Sequence, residues 1–193
     1  EAAIKRALKE ESFVMFYQPI VSTETGKVVS AEALIRLFDS KLGFVPPDEF
    51  IPMAEKNGSI LKIGEMVFRH VFKYIRDNDL KSKGVNYIEI NLSAVQCMQE
   101  DMGDKIINLM SEYGIAPSQI TLEITETAAV ESAEVLMKNM KYLTKNGVNF
   151  SLDDFGSGYS NMNSLLDLPL EIVKFDKHML DVARVNENGR IVL

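Results

Sequence analysis

The chain has 193 residues, of which 46% are hydrophobic and 25% are charged, and its net charge is −7. These values predict one globular domain with a packed core and exclude a disordered chain. The acidic balance argues against a surface for duplex nucleic acid, because such surfaces carry clustered lysine and arginine. No apolar run reaches the roughly 18 residues of a transmembrane helix, so no membrane segment is expected in this chain.

The cysteine content and the first residues bear on location. Cys97 is the only cysteine and cannot form an internal disulfide, which favours the reducing cytoplasm. The chain starts at Glu1 rather than Met, inside a stretch where Ile4, Ala7 and Leu8 share one helical face. We therefore expect a piece of a longer protein, whose targeting or membrane segments would lie outside these residues.

Apolar runs rich in β-prone residues alternate with helical patterns along the chain. The predicted strands are, in chain order, Phe13–Val21, Val28–Leu37, Tyr87–Leu92, Ile120–Thr125, Phe150–Asp153 and Ile172–Phe175. A long helix with Ser59 as its N-cap is predicted between the second and third strands. It carries apolar residues at helical spacing, namely Ile60, Ile63, Val67, Val71 and Ile75. Two further predicted helices, Lys105–Tyr113 and Ser132–Asn146, are each followed by glycine, a usual helix stop.

The side chains on the strands distinguish two folds that strand–helix alternation allows, an open doubly wound sheet and a barrel. A parallel sheet covered by helices on both faces has strands that are nearly all apolar. Here the strands alternate instead: in the fourth, Leu122 and Ile124 lie on one face and Glu123 and Thr125 on the other. This pattern predicts an α/β (β/α) barrel with a polar interior and a site at the carboxyl ends of its strands.

Polar residues gather near those carboxyl ends. The residues on the polar face are Glu32, Asn91, Glu123, Asp153 and Lys174, and Asp154 follows Asp153 directly. Each acid taken alone has the simpler reading of a helix cap or a solvated loop residue. Together they would repel one another, and divalent cations relieve that conflict. Carboxylate and amide oxygens suit Mg²⁺ or Mn²⁺, and two such ions about 3.5–4 Å apart support in-line attack on phosphate esters. Lys174, the only lysine on this face, is suited to activating or orienting water.

These residues stand in motifs that resemble a known family. The motifs are YQPI at 17–20, EALIR at 32–36, FVPPDEFIPMAE at 44–55, INLS at 90–93, LEITE at 122–126, DDFGSGYS at 153–160 and VKFD at 173–176. In this order, across essentially all 193 positions, they resemble the EAL-domain phosphodiesterases that hydrolyse cyclic di-GMP to linear pGpG. The resemblance implies a modified TIM barrel whose first strand runs antiparallel to the rest.

The resemblance also implies a role for each matching residue. The implied ligands of two divalent cations, Mg²⁺ or Mn²⁺, are Glu32, Asn91, Glu123, Asp153 and Asp154. Lys174 would serve the attacking water, with Glu32 and Glu126 as further catalytic residues. Glu126 would hold the DDFGSGYS loop and couple it to the metal site and a dimer interface. The implied contacts to cyclic di-GMP are Gln18, Leu34, Arg36, Asp154 and Asp176.

The chain departs from the family pattern in two places. Ser157 replaces a threonine, which keeps the hydroxyl. More importantly, a full barrel takes about 250 residues. Residues 1–193 are therefore expected to form a single EAL-type domain without its last two strand–helix units. Those units carry a glutamate and a glutamine of the family's site, which leaves the activity of this piece alone in question.

Three functions remain possible at this point. The leading one is a phosphodiesterase, because every metal ligand and the lysine within this span are present. The second is a receptor that binds cyclic di-GMP without hydrolysing it, and the third is a dimerisation domain. In each case we expect a homodimer and a possible fusion to an upstream sensor or diguanylate cyclase domain.

Overall fold

The fold is α/β and is built on one mixed β-sheet. The computed structural model describes residues 1–131, 133–156 and 167–185. The strands are β1 Phe13–Val21, β2 Val28–Asp39, β3 Gly43–Val45, β4 Tyr87–Asn91, β5 Ile120–Thr125, β6 Asn149–Phe155 and β7 Ile172–Phe175. Their order is β1-β2-β4-β5-β6-β7, and β3 pairs with β2. Strand β1 is antiparallel to β2, and β2, β4, β5, β6 and β7 are parallel neighbours. The predicted strands and the antiparallel first strand are confirmed.

Helices connect and cover these strands. The α-helices of the described residues are α1 Ala2–Glu10, α2 Pro47–Lys56, α3 Ile60–Asp77, α4 Ala94–Cys97, α5 Met102–Tyr113, α6 Glu126–Glu131, α7 Ala133–Lys145 and α8 Lys177–Val185. Single 3₁₀ turns precede β4 at Lys81–Lys83 and β5 at Pro117–Gln119. None of the helices in the described ranges combines the length and the apolar character needed to cross a bilayer.

The structure differs from the sequence predictions at several element ends. Strand β3 and helices α4 and α6 were not predicted, and α5 begins three residues before Lys105. Ser59 does occupy the N-cap of α3, but its side chain makes no capping hydrogen bond. Instead, the Ser59 backbone N–H donates to Asn57 Oδ1 at 2.9 Å. Ser132, the predicted start of α7, lies outside the described residues.

The core lies between the outer face of the sheet and the helices. Apolar residues of the central strands are at most 1% exposed there: Ile88, Ile90, Ile120, Leu122, Ile124, Phe150 and Leu152. The opposite face carries buried polar residues, namely Ser30, Glu89, Thr121, Glu123 and Ser151. The alternation in the sequence predicts one apolar face and one polar face for a barrel-like sheet, as observed.

A close contact between two helices fixes the segment that follows Asn91. Ser93 and Gln96 form a reciprocal capping box at the start of α4, with Ser93 N donating to Gln96 Oε1 at 3.1 Å. Gln96 packs directly on Gly64 of α3, where an added Cβ would lie 2.2 Å from Gln96 Nε2. The absence of a side chain at Gly64 therefore leaves room for the cap beside the site.

We expect Gly64→Ala to destabilise the domain by roughly 1 kcal/mol. Overpacking costs about 1–3 kcal/mol, and the better helix propensity of alanine offsets about 1 kcal/mol of that. The same change in a Gln96→Ala background should stabilise the domain, because the obstructing side chain is gone. Urea unfolding of the wild type, the two single variants and the double variant checks this; a loss of stability from Gly64→Ala in both backgrounds would contradict the contact.

Candidate active site

Four polar side chains from four strands meet on the inward face of the sheet, near the carboxyl ends of the strands. Asn91 Nδ2 on β4 donates to Glu32 Oε1 on β2 at 2.8 Å. Lys174 Nζ on β7 donates to Glu123 Oε1 on β5 at 2.5 Å and lies 3.8 Å from Glu32 Oε2. The structure therefore brings Glu32, Asn91, Glu123 and Lys174 into one cluster, because parallel strands in register present their inward residues at the same edge.

The two aspartates of β6 lie beside this cluster. Asp153 is half-buried and pairs in register with Thr125 of β5. Asp154 is exposed and has a left-handed backbone, with φ of 55°, which aspartate tolerates better than most residues. Partial burial, the charge of Asp153 and the charge of Asp176 all raise the pKa of Asp154. Negative charge is thus concentrated where β6 ends.

Glu126 contacts the start of the DDFGSGYS loop. It opens α6 directly after β5, is 5% exposed, and accepts a hydrogen bond from Gly156 N at 3.2 Å. Gly156 has a φ of 91°, a conformation that favours glycine. The remainder of the loop lies outside the described residues, so the coupling role of Glu126 stays a prediction.

Two of the predicted substrate residues, Leu34 and Arg36, line a cavity of about 510 Å³. Glu32, Leu34, Arg36 and Asn91 line it together with apolar residues of α2 and α3. The Arg36 guanidinium lies 5.8 Å from the centre of the Phe16 ring, which orients a cation at the cavity wall. A cavity of this size is typical of small-ligand sites.

The other predicted substrate residues, Gln18, Asp154 and Asp176, are not among the described residues that line this cavity. Gln18 of β1 is exposed and stands opposite Glu32 in the antiparallel pair. Asp176 is half-buried, and its Oδ1 accepts a hydrogen bond from His178 N at 2.7 Å. That bond gives Asp176 a local role at the start of α8, and its predicted contact with substrate remains a prediction.

Glu89 is the member of the cluster that sequence reasoning did not select. It lies on the polar face of β4, two residues before Asn91, and only 2% of its side chain is exposed. Its carboxylate forms an ion pair with Lys174 Nζ. The available signal was its parity with Asn91, but parity alone does not distinguish a site residue from one that fills the interior.

The cluster contains more acids than cations, and this excess shifts its pKa values. Burial raises the pKa of Glu123 to about 8 despite the hydrogen bond from Lys174, and the charges of Glu32 and Asp153 act in the same direction. Burial would lower the pKa of Lys174, but its contacts with Glu123 and Glu89 outweigh burial and raise it. Both groups therefore hold their protons more strongly than usual.

We expect the cation-free domain to lose stability as the pH rises from about 4.5, the ordinary value for glutamate, to about 8. A carboxyl whose pKa is higher in the folded state binds more protons there than in the unfolded state, so stability falls through that window. Glu123→Gln removes this dependence. Between pH 5 and pH 8, in chelator, the Tm of Glu123→Gln should rise relative to the Tm of the wild type by several degrees. This follows because about 1 kcal/mol moves Tm by about 2–4 °C. Parallel pH profiles would contradict this.

The acids fit a site for hard divalent cations. Their donor atoms are all oxygens, as Mg²⁺ and Mn²⁺ prefer. Glu123 Oε2 is buried without a hydrogen-bond partner, so it has free capacity to bind a cation. Among the described residues, however, no three acids stand close enough together to form a ready-made metal site. Lys174 lies between Glu32, Glu89 and Glu123 and neutralises part of their charge.

Comparison with known proteins gives consistent matches. A family model described as the EAL domain matches residues 1–193. The oxygen sensor protein DosP of Escherichia coli is 34% identical over 180 residues, which cover 93% of this chain and 22% of that protein. The bifunctional diguanylate cyclase/cyclic di-GMP phosphodiesterase MucR of Pseudomonas aeruginosa is 33% identical over 193 residues. The match covers 98% of this chain and 28% of that protein. The chain therefore spans about a quarter of the length of these relatives.

Solved structures agree with the sequence matches. A structure described as the PaMucR phosphodiesterase in complex with c-di-GMP superposes with a TM-score of 0.89 at 30% identity. The superposition covers 99% of this chain and 77% of that one. The TIM-barrel-like fold of that group is therefore also the fold of this chain.

Proposed function

The chain belongs to the EAL domain family, and from that premise we propose that its parent domain hydrolyses cyclic di-GMP to linear pGpG. The observation that carries this proposal is the convergence of Lys174 with Glu32, Asn91 and Glu123 beside a cavity of about 510 Å³. Removing a lysine and several carboxylates from water costs free energy, so stability alone does not account for this arrangement. Such arrangements cluster at functional sites.

Cation binding is assigned to five side chains in this proposal. The residues that would hold two Mg²⁺ or Mn²⁺ ions are Glu32, Asn91, Glu123, Asp153 and Asp154. Bound there, the cations would polarise the phosphate ester and make water a better nucleophile. The hydrogen bond from Asn91 to Glu32 keeps both side chains directed into the cluster, so the donor atoms are positioned in advance.

The remaining residues bind substrate or handle water. Lys174 Nζ orients the attacking water by donating a hydrogen bond to it. Arg36 binds a phosphate of the dinucleotide, while Gln18, Leu34, Asp154 and Asp176 contact its other parts. Glu126, which accepts a hydrogen bond from Gly156 N, holds the DDFGSGYS loop and couples it to the metal site and the dimer interface.

We further propose that the parent protein completes this fold and regulates it. The chain would continue into the two missing strand–helix units, in line with the 77% coverage of the solved phosphodiesterase chain. Fusion to a sensor or diguanylate cyclase domain is supported by the names of the relatives, and homodimerisation is part of the proposal. A cytoplasmic location suits the free, buried Cys97, whose pKa burial raises to about 12.

One observation favours a second function, a receptor that binds cyclic di-GMP without hydrolysing it. In the described residues Lys174 occupies the space between the acids that cations would need. If Lys174 stays there, the dinucleotide can bind but the cations cannot. This reading predicts binding in chelator and no turnover with any divalent cation.

Separate measurements of binding and turnover distinguish the two functions. The full-length protein that contains this sequence is incubated with cyclic di-GMP and Mg²⁺, Mn²⁺ or chelator, and nucleotides are separated chromatographically. We expect pGpG with a cation and no turnover in chelator. Calorimetric binding of cyclic di-GMP without turnover in either cation would favour the receptor, and no binding at all would favour a dimerisation domain.

A further inference from the structure

Glu89 is a buried acid whose role the proposed mechanism does not use. Only 2% of its side chain is exposed, and its backbone pairs with Glu32 on β2 and Thr121 on β5. A buried carboxylate without a compensating cation is costly. Within the part of the chain that the structure describes, Lys174 is the one cation that forms an ion pair with Glu89.

The surroundings of Glu89 give it little other support. Ser30, Thr121 and Ser151 are buried on the same inward face, and their hydroxyls make no hydrogen bond among the described residues. The ion pair with Lys174 is therefore the main compensation for the Glu89 charge. Conversely, Lys174 is held from the cluster side by Glu123 and Glu32 and from the interior side by Glu89.

Cation binding would divide these three contacts. Glu32 and Glu123 are proposed cation ligands, so a lysine paired with Glu123 Oε1 competes with a cation for the same oxygen. When cations take those carboxylates, Lys174 loses two of its three anionic neighbours. Glu89 remains, because it stands two residues deeper on β4 than Asn91 and outside the proposed ligand set.

We propose that Glu89 is a positioning residue for Lys174: it draws the ammonium group off Glu123, so that cations can bind, and then holds it beside the attacking water. This inference rests on the proposed function. It assigns Glu89 no contact with substrate, and it accounts for an acid that is buried in the interior of the sheet. The Glu89 carboxylate would thus act on both cation affinity and turnover through one partner.

The first test is the affinity of the full-length protein for Mn²⁺ alone, measured by calorimetry without nucleotide. Glu89→Gln should weaken Mn²⁺ binding by about 10-fold or more, the usual effect of losing a group that orients ligands from outside the metal shell. In a Lys174→Met background the same change should alter affinity by less than about twofold, because no lysine remains to compete for Glu123.

Two further variants keep the test decisive. Glu89→Asp keeps the charge but shortens its reach, so it should also weaken Mn²⁺ binding; if it binds as tightly as wild type, Glu89 acts only through its field and the inference fails. Thr121→Val removes an unpartnered hydroxyl from the same interior and should leave Mn²⁺ affinity and turnover unchanged. It therefore controls for disturbance of the interior.

The outcomes separate this inference from the proposed function. Equal losses of Mn²⁺ affinity from Glu89→Gln in the wild-type and Lys174→Met backgrounds would overturn the inference, even in an active phosphodiesterase. A protein that shows the expected non-additivity but never turns over cyclic di-GMP would keep the positioning role and refute the phosphodiesterase. With an active protein, kcat at saturating Mn²⁺ should fall for Glu89→Gln while the KM for cyclic di-GMP stays within about twofold.

Discussion

Glu32→Ala and Asp153→Asn should each abolish hydrolysis of cyclic di-GMP by the intact domain. Each change removes a negatively charged oxygen from the proposed cation site, and cation catalysis of phosphate esters supplies several kcal/mol. Because about 1.4 kcal/mol is tenfold in rate, we expect losses of at least about 10³-fold. Initial rates over a range of Mg²⁺ and Mn²⁺ concentrations, with calorimetric cation binding, measure both effects.

A matched control separates this result from a general effect of removing an acid. Glu24→Ala alters an exposed residue in the turn between β1 and β2 and should leave the rate unchanged. The wild-type protein in excess chelator should be as inactive as the two variants. Turnover that persists undiminished in chelator would rule out a cation-dependent mechanism and, with it, the assignment of these acids.

The second large effect concerns Lys174. Lys174→Met keeps much of the apolar stem and removes the charge and the hydrogen-bond donors. If Lys174 aligns the attacking water, kcat at saturating Mn²⁺ should fall about 10²–10⁴-fold, the range typical of general acid–base groups. Because Lys174 pairs with Glu123 in the absence of cations, its removal frees that carboxylate, so Mn²⁺ affinity should hold or rise.

A purely structural lysine would behave differently. It would neutralise the surrounding acids, so its loss would chiefly lower the melting temperature or the cation occupancy, and the saturated rate would stay near that of wild type. Lys141→Met, on the exposed surface of α7, is the matched control and should change neither rate nor stability appreciably. A near wild-type saturated rate for Lys174→Met would remove this residue from the mechanism.

The convergence of the site follows largely from period-two alternation. On parallel strands, inward residues near the carboxyl ends must meet, so Glu32, Asn91, Glu123 and Lys174 can be predicted as neighbours without knowing any helix. The same reasoning does not select Glu89, because it lies deeper on its strand, where an acid is interpreted as an isolated interior residue. Glu89 and Lys174 form an ion pair because the Lys174 side chain extends towards the interior, and the direction in which a side chain extends cannot be predicted from the spacing of residues in the sequence.

The elements that the sequence did not predict are short ones. Strand β3 has three residues, Gly43–Val45, and forms because the adjoining β2 continues to Asp39 and offers it an edge. Helix α6 has six residues that begin with Glu126 directly after a strand, too few for a helical period to emerge. Strand β3 depends on its pairing with the end of β2, and α6 depends on its packing against α4 and β6, so the few residues of either element carry little information about it.

The most direct test of the account is turnover of cyclic di-GMP by the full-length protein in ¹⁸O-labelled water, followed by mass spectrometry of the product. Water attack on one phosphodiester predicts linear pGpG that carries a single ¹⁸O on its terminal phosphate. That product should form with Mg²⁺ or Mn²⁺, disappear in chelator and be nearly absent in Lys174→Met. Intact cyclic di-GMP under every cation condition, or labelled product that forms equally well in chelator, would contradict a cation-dependent hydrolase built on this cluster.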